Sequence, residues 1–438
     1  MAAAAAAAAP SFRVELDGFG WGAALFRGRY LPVAKTHGAD TAMLAPAGDA
    51  TASAEGAPKK VVMSIAGRLR EVPDGVAMVT LLPELSSAVQ KDDLGAALHG
   101  TELHPLTYAI CDGVVTGQPG AACPSGWYYL KAAASSHGQD VERVFCDELP
   151  GTGPWDLSEL LADMVGVDGS TESAASLGTA LARSTGVLQR EVSSVDPTTG
   201  QKFDLRLWAA MTGDGRVWVA PSCIRRMCAG NFVEASRAED AAQAEARGRG
   251  EGPAPRVRAP RACVVSNRMV RGASKRSDGG FFSPSTSLPS TREHVATPPE
   301  AAQCARRALL AVREAALRAG TPASPSHHMQ VCGLDVAILY GPDGAAAVVG
   351  GEAVAGDDAV GFASLGPDHA DTVAAVSAMG AAPWPLAGMR GGAVLIECNR
   401  GPSLGLHDGP DAGTTWPEAF KPLWLLDLLR WAVVGLGA

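Results

Sequence analysis

No Cys-x-x-Cys pair occurs among the nine cysteines of this 438-residue chain, which stand apart at 111, 123, 146, 223, 228, 263, 304, 332 and 398. That scatter gives no sign of a zinc site or a disulfide framework, and it fits a reducing interior such as the cytosol. There is no excess of positive charge either. With a net charge of −9, nothing general draws the chain to nucleic acid. Long uninterrupted apolar runs are also missing. The alanines at 2–9 are too few to span a bilayer and lack a basic n-region, so they read as a disordered or translation-derived tail, with a transit peptide as the weaker alternative. The stretch 416–437 is strongly apolar but is broken by Lys421, Pro422, Asp427 and Arg430, which predicts a buried terminal helix. No repeat at a solenoid period is visible. These absences leave a cytoplasmic protein with no nucleic-acid and no membrane partner as the expectation.

What is present is globular. Hydrophobic residues make up 47% and charged residues 19%, enough apolar material for a large core shared between two or three domains. The most informative stretch is 391–406. Val394, Leu395 and Ile396 run as β-formers into Glu397 and Asn399 before a Gly-Pro breaker. Side chains two apart on a strand share a face, so Glu397 and Asn399 aim two oxygen donors at one point where the strand ends. Hard cations such as Mg²⁺ take such pairs, usually with another carboxylate. A candidate for that third ligand is Asp335, a carboxylate embedded in the apolar strand 331–340.

Other segments carry charge in patterned places. In Lys202-Phe203-Asp204-Leu205-Arg206 the charges alternate with apolar residues, which puts Lys202, Asp204 and Arg206 on one strand face. The strand then runs to an Asp-Gly turn and a return strand, Arg216 to Ala220. Upstream, 126–131 is an aromatic strand ending in Lys131. It leads through a small-residue loop containing His137 and Gly138 to a second strand at 141–145, a hairpin suited to folding over phosphates. Residues 186–192 read as a strand whose open backbone, around Gln189, could meet an adenine edge. Arg225-Arg226 and the Arg-rich stretch around 256–275 read as candidate local basic patches for an acidic protein partner. Pro299 to Gly320 is a clear helix with apolar residues at 304, 308, 309 and 312. The stretch 235–260 lacks apolar periodicity and is expected to be a mobile insertion.

Taken in order, these motifs resemble the ATP-grasp fold and, within it, the tubulin–tyrosine ligase-like family, over about residues 89–406. Lys202-Phe203-Asp204-Leu205-Arg206 is the most specific match. Lys91-Asp92, Pro105-x-Thr107-Tyr108, Ser266-Asn267, Gly333-Leu334-Asp335 and Leu395-Ile396-Glu397-Cys398-Asn399 follow the family's order. The resemblance implies an α/β (α+β) fold in which two subdomains clamp ATP behind a small N-terminal α/β domain. The expected boundaries are 1–104, 105–196 and 197–438, with insertions near 235–260 and 341–390.

The resemblance also implies roles. Lys131, His137, Gly138, Gln189, Lys202 and Asn267 would bind ATP. Asp335, Glu397 and Asn399 would hold Mg²⁺. Lys202, Asp204, Arg206 and Glu397 would serve catalysis. The implied chemistry joins a carboxylate to an amine through an acyl-phosphate, with an amino-acid co-substrate (Glu, Gly or Tyr) added to tubulin or another acidic protein tail. Such substrates would place the protein in the cytoplasm, at the cytoskeleton or in cilia. Two positions depart from the family pattern: Asp140 stands in the phosphate loop where a second glycine is usual, and Trp218 stands where an arginine is usual. They define the alternative, an ATP-grasp domain of weakened or absent catalysis that binds nucleotide or microtubules.

Overall fold

A computed structural model describes residues 12–17, 33–36, 39–44, 60–64, 76–79, 81–116, 126–133, 141–146, 155–156, 181, 185–192, 194–220, 222–249, 273–274, 283–284, 292–326, 328–340 and 391–399. The architecture is α+β, rich in antiparallel strands. The chain opens with β1 (Phe12–Asp17), β2 (Val33–Thr36), β3 (Ala39–Leu44), β4 (Lys60–Ser64) and β5 (Val76–Val79). A 3-10 turn at Pro83–Leu85 and helices α1 (Ser86–Val89) and α2 (Lys91–Ala97) follow.

A six-stranded sheet comes next, built from β6 (Thr107–Cys111), β7 (Val114–Thr116), β8 (Gly126–Ala132), β9 (Val141–Cys146), β10 (Trp155–Asp156) and β11 (Thr185–Arg190). Its order is β10-β7-β6-β11-β8-β9, with every pairing antiparallel. The Lys131 hairpin is thus β8–β9, with Lys131 opposite Val141. The loop that carries His137, Gly138 and Asp140 lies outside the described residues, as do Asn267, the arginines of 256–275 and the apolar segment 416–437.

The remaining elements are β12 (Ser194–Val195), β13 (Gln201–Thr212), β14 (Val217–Val219), β15 (Ser222–Asn231), α3 (Phe232–Gly248), β16 (Ala273–Ser274), β17 (Ser283–Pro284), β18 (Arg292–Ala296), α4 (Pro299–Arg318), β19 (His328–Tyr340) and β20 (Gly391–Asn399). Apart from the small β16–β17 pair, these strands join the first five in a twelve-stranded sheet ordered β18-β15-β13-β19-β5-β4-β1-β3-β2. In it β12 and β14 also pair with β13, and β20 pairs with β19. The strands of the first eighty residues enter through β5, parallel to the start of β19 at His328 and Met329.

Alternation along β13 splits this sheet into two faces. Phe203, Leu205, Leu207, Ala209 and Met211 are buried together with Cys332, Leu334, Val336 and the α4 residues Ala301, Cys304, Ala305, Ala308, Leu309 and Val312. The spacing of those α4 positions wraps one helical stripe onto the sheet. Its C-terminus ends as expected, with Gly320 in the left-handed region at φ 89°. Lys202, Asp204 and Arg206, displaced by one residue each, take the opposite face.

One expectation fails here. The composition of 235–260 predicts no regular structure, yet α3 covers Phe232–Gly248. Alanine, glutamate and arginine have high intrinsic helix propensity, and the Asn231 side chain caps the start by accepting from the Glu234 amide at 3.2 Å. Most of its described side chains are solvent-exposed, in keeping with the weak apolar periodicity.

The β13–β14 turn is sterically closed at Gly213. A Cβ there would lie 2.3 Å from the Pro325 carbonyl oxygen and 2.5 Å from that of Ser324. Both obstacles are backbone and cannot swing aside. Gly213→Ala should therefore lower stability by about 1–3 kcal/mol, read as a reduced urea midpoint.

Candidate functional site

Ladder register decides which side chains meet on the charged face. Across β13–β19, Arg206 lies opposite Asp335, and across β19–β20, Asp335 lies opposite Glu397. A bulge between Asp335 and Val336 absorbs Ile396, so Glu397 and Asn399 stay on the Asp335 face while Leu395 and Cys398 enter the core. On the other side, Arg226 of β15 lies opposite Asp204. Four adjacent strands thus deliver Arg226, Asp204, Arg206, Asp335, Glu397 and Asn399 to one surface.

The charges there are paired. Arg206 makes a bidentate contact with Asp335, Nε to Oδ1 and Nη2 to Oδ2, the latter at 2.9 Å. Arg226 donates from Nε to Asp204 Oδ1 at 2.5 Å and reaches Asp335 Oδ1 with Nη2 at 3.0 Å. Burial by itself would raise the Asp335 pKa, but the two guanidiniums outweigh it and hold the carboxyl below its ordinary range.

Arg225-Arg226 does not form the basic patch expected of it. Consecutive strand residues point to opposite faces, and both side chains are buried, at 3% and 8% exposure. Arg225 turns to the helix side, where it pairs with Asp196 and with Glu293 at 3.2 Å. Neither guanidinium presents itself to an incoming acidic tail.

The six-stranded sheet contributes Lys131, 7% exposed. Its ammonium donates to Gln189 Oε1 at 2.5 Å. Burial lowers its pKa to about 8, with Glu397 and Asp335 pulling it up and Lys91 and Lys202 pushing it down. Lys91, at the start of α2, sits close by and donates to the carbonyls of Ala132 and Ala133 at 3.3 Å each, at the root of the hairpin loop.

Gln189 requires a correction. Its strand β11 is central, paired with β6 on one edge and β8 on the other, so its backbone is not open to an adenine. The side chain, 3% exposed, is the working part. It holds Lys131 at one end and contacts His104 Nε2 at 3.2 Å and Thr107 Oγ1 at 3.3 Å at the other.

Lys202 lies in a second cluster that the motifs did not reveal. It donates to the Tyr129 hydroxyl and stands 3.9 Å from Glu191 Oε1, over the rings of Tyr129 and Phe232. Tyr129 in turn donates to Glu191 Oε1 at 2.5 Å, and Arg143 grips the same carboxylate from Nε and Nη2, the latter at 2.6 Å. Burial would raise the Glu191 pKa, yet Lys202 and Arg143 bring it below the usual value; burial lowers that of Lys202. Glu191 and Arg143 were legible only as ordinary strand charges. Trp218 is buried, lies opposite Ala210 on the charged side of the sheet, and has the Arg216 guanidinium 5.9 Å from its ring centroid.

The donor chemistry suits a hard cation. Directly opposed like charges destabilise a ladder unless a cation compensates them, and Asp335 faces Glu397 in register. The two arginine partners leave Asp335 Oδ2 one further lone-pair direction. The Asn399 amide nitrogen is buried with no partner among the described residues, and a half-turn of the amide would place its oxygen there. Among the described residues no three His, Cys, Asp or Glu side chains converge on one point, so the set is two carboxylates and an amide. No family model and no curated protein matches this sequence.

Proposed function

We propose that the chain is an ATP-dependent carboxylate–amine ligase of the ATP-grasp kind, similar to the tubulin–tyrosine ligase-like enzymes. One observation carries the reading. The lysine of one sheet, Lys131, is tied through Gln189 and His104 to β20 of another, the strand that sets Glu397 opposite Asp335 of β19. That is the arrangement a magnesium–phosphate complex needs, with cations for the phosphate oxygens and carboxylates for the metal. Asp335, Glu397 and Asn399 would hold Mg²⁺, which when bound would supply positive charge to offset that of the phosphates. Lys131 and Lys202 would neutralise phosphate oxygens. Arg206 would steady the acyl-phosphate or its parent carboxylate, and Asp204 would orient an amine. An acidic protein tail such as that of tubulin, together with an amino acid, remains the proposed substrate pair, but its docking cannot use Arg225 or Arg226.

The second reading, a nucleotide-binding module without turnover, is favoured by a different observation. Lys202, Arg206 and Arg226 are already committed to Glu191, Asp335 and Asp204. Turnover requires at least Arg206 to exchange Asp335 for substrate.

One comparison separates the two. Wild type and Glu397→Gln are assayed for Mg-ATP binding, ATP hydrolysis and amino-acid incorporation into tubulin. The ligase reading expects incorporation by the wild type and a loss of at least about a thousandfold in the variant. ATP binding without incorporation sinks it in favour of the module, and no Mg-ATP binding at all removes the site assignment.

A further inference from the structure

His104 has no part in the motifs, yet it sits between the two sheets with both ring nitrogens engaged. Nδ1 lies 2.6 Å from the carbonyl oxygen of Leu395 in β20, and Nε2 lies 3.2 Å from Gln189 Nε2. A carbonyl can only accept, so Nδ1 carries the proton and Nε2 of the neutral ring is an acceptor. Burial lowers the His104 pKa to about 4, in keeping with a neutral ring. The Gln189 amide then has one satisfying orientation. Its NH₂ faces the imidazole lone pair and its oxygen faces the Lys131 ammonium, a group with donors only. Thr107 does not decide the matter, because a hydroxyl rotates to suit either end of an amide.

We infer that His104 is a positioning residue for Lys131: by fixing which way the Gln189 amide faces, it presents an oxygen to the ammonium and ties that ammonium to β20. The path runs from the Leu395 carbonyl, two residues before Glu397, through His104 and Gln189 to Lys131. The same strand is anchored from the other direction, since the Leu395 amide donates to the Leu103 carbonyl at 2.8 Å. A turned amide would set its NH₂ against the NH₃⁺ and its oxygen against the ring lone pair. The bearing of this relay on phosphate binding rests on the ligase reading; the relay itself does not.

The test therefore uses the full chain without nucleotide. Trace acetylation by acetic anhydride at one fixed pH is quantified at Lys131 by mass spectrometry, with circular dichroism to confirm folding. His104→Asn keeps a donor for Leu395 but offers Gln189 no acceptor at the Nε2 position. His104→Gln offers that acceptor and loses the Leu395 donor. Expected are a rise in labelling of about tenfold for His104→Asn and for Gln189→Leu, and near-wild-type labelling for His104→Gln. The double variant should label no faster than either single one, because His104 acts through Gln189. Additive effects, or His104→Gln behaving like His104→Asn, would overturn the inference. Nitrogen-15 spectra of the wild-type imidazole give an independent readout that needs no variant to fold. A proton on Nδ1 supports the relay, and a proton on Nε2 ends it. Failure to bind ATP in the separate assay would leave both results standing.

Discussion

Asp335→Ala should lower the stability of the ligand-free protein by about 2–4 kcal/mol, because it leaves the half-buried Arg206 guanidinium without its carboxylate and the buried Arg226 with Asp204 alone. The measurement is urea unfolding at neutral pH. A loss under about 1 kcal/mol would mean that the pairing is incidental. The acid limb gives a second check. The folded pKa of Asp335 is depressed, so its contribution is complete above the unfolded value of about 3.9 and disappears as pH falls through the folded value. Glu191, Asp196 and Asp214 are depressed as well, so the wild type should lose stability steeply below about pH 4. The variant should lose less over the same interval. For this reason an inactive Asp335 variant says little about catalysis, whereas Glu397→Gln, nearly isosteric, isolates the charge.

How far the sequence reached depends on whether a feature is local. The two faces of β13 follow from a period of two, and burial alternates accordingly from Lys202 to Leu207, beyond which both faces are covered. That Glu397 and Asn399 share a face follows from the same rule, whereas their sharing it with Asp335 depends on the bulge at Ile396, which no local pattern shows. Helix α4 and its terminal glycine are equally local. Pairing partners are not. Arg143 and Glu191 are 48 positions apart, and His104 and Leu395 are 291 apart, so only topology brings them together. The Arg225-Arg226 error shows the limit from the other side. Adjacent arginines look like a patch on paper, but strand geometry divides them between two faces and each finds a carboxylate. Likewise, nothing local shows whether the strand at Gln189 is an edge or a centre; that depends on β6 and β8 arriving on both sides.

Lys131→Met should separate a functional charge from a structural one. With the pKa brought to about 8 from 10.5, holding this ammonium in the folded state costs about 3 kcal/mol. Methionine removes that cost while leaving Gln189 Oε1 without its donor, a loss of about 1–3 kcal/mol. The two nearly cancel, so unfolding at neutral pH should stay within about 2 kcal/mol of wild type. Mg-ATP affinity, by contrast, should fall about tenfold to a hundredfold, measured by titration calorimetry. The pH dependence carries the same signature. Between about 8 and 10.5 the unfolded chain binds a proton at Lys131 that the folded chain lacks, so this group makes stability rise with pH there. Cys223 and Cys304, pushed up to about 12 by burial, act in the opposite sense over part of that range. The quantity to read is therefore the wild-type curve minus the variant curve, which should rise from about pH 8 to about pH 10. A flat difference, or a variant destabilised by more than about 3 kcal/mol, would make Lys131 a structural cation and remove the electrostatic support for phosphate at this site.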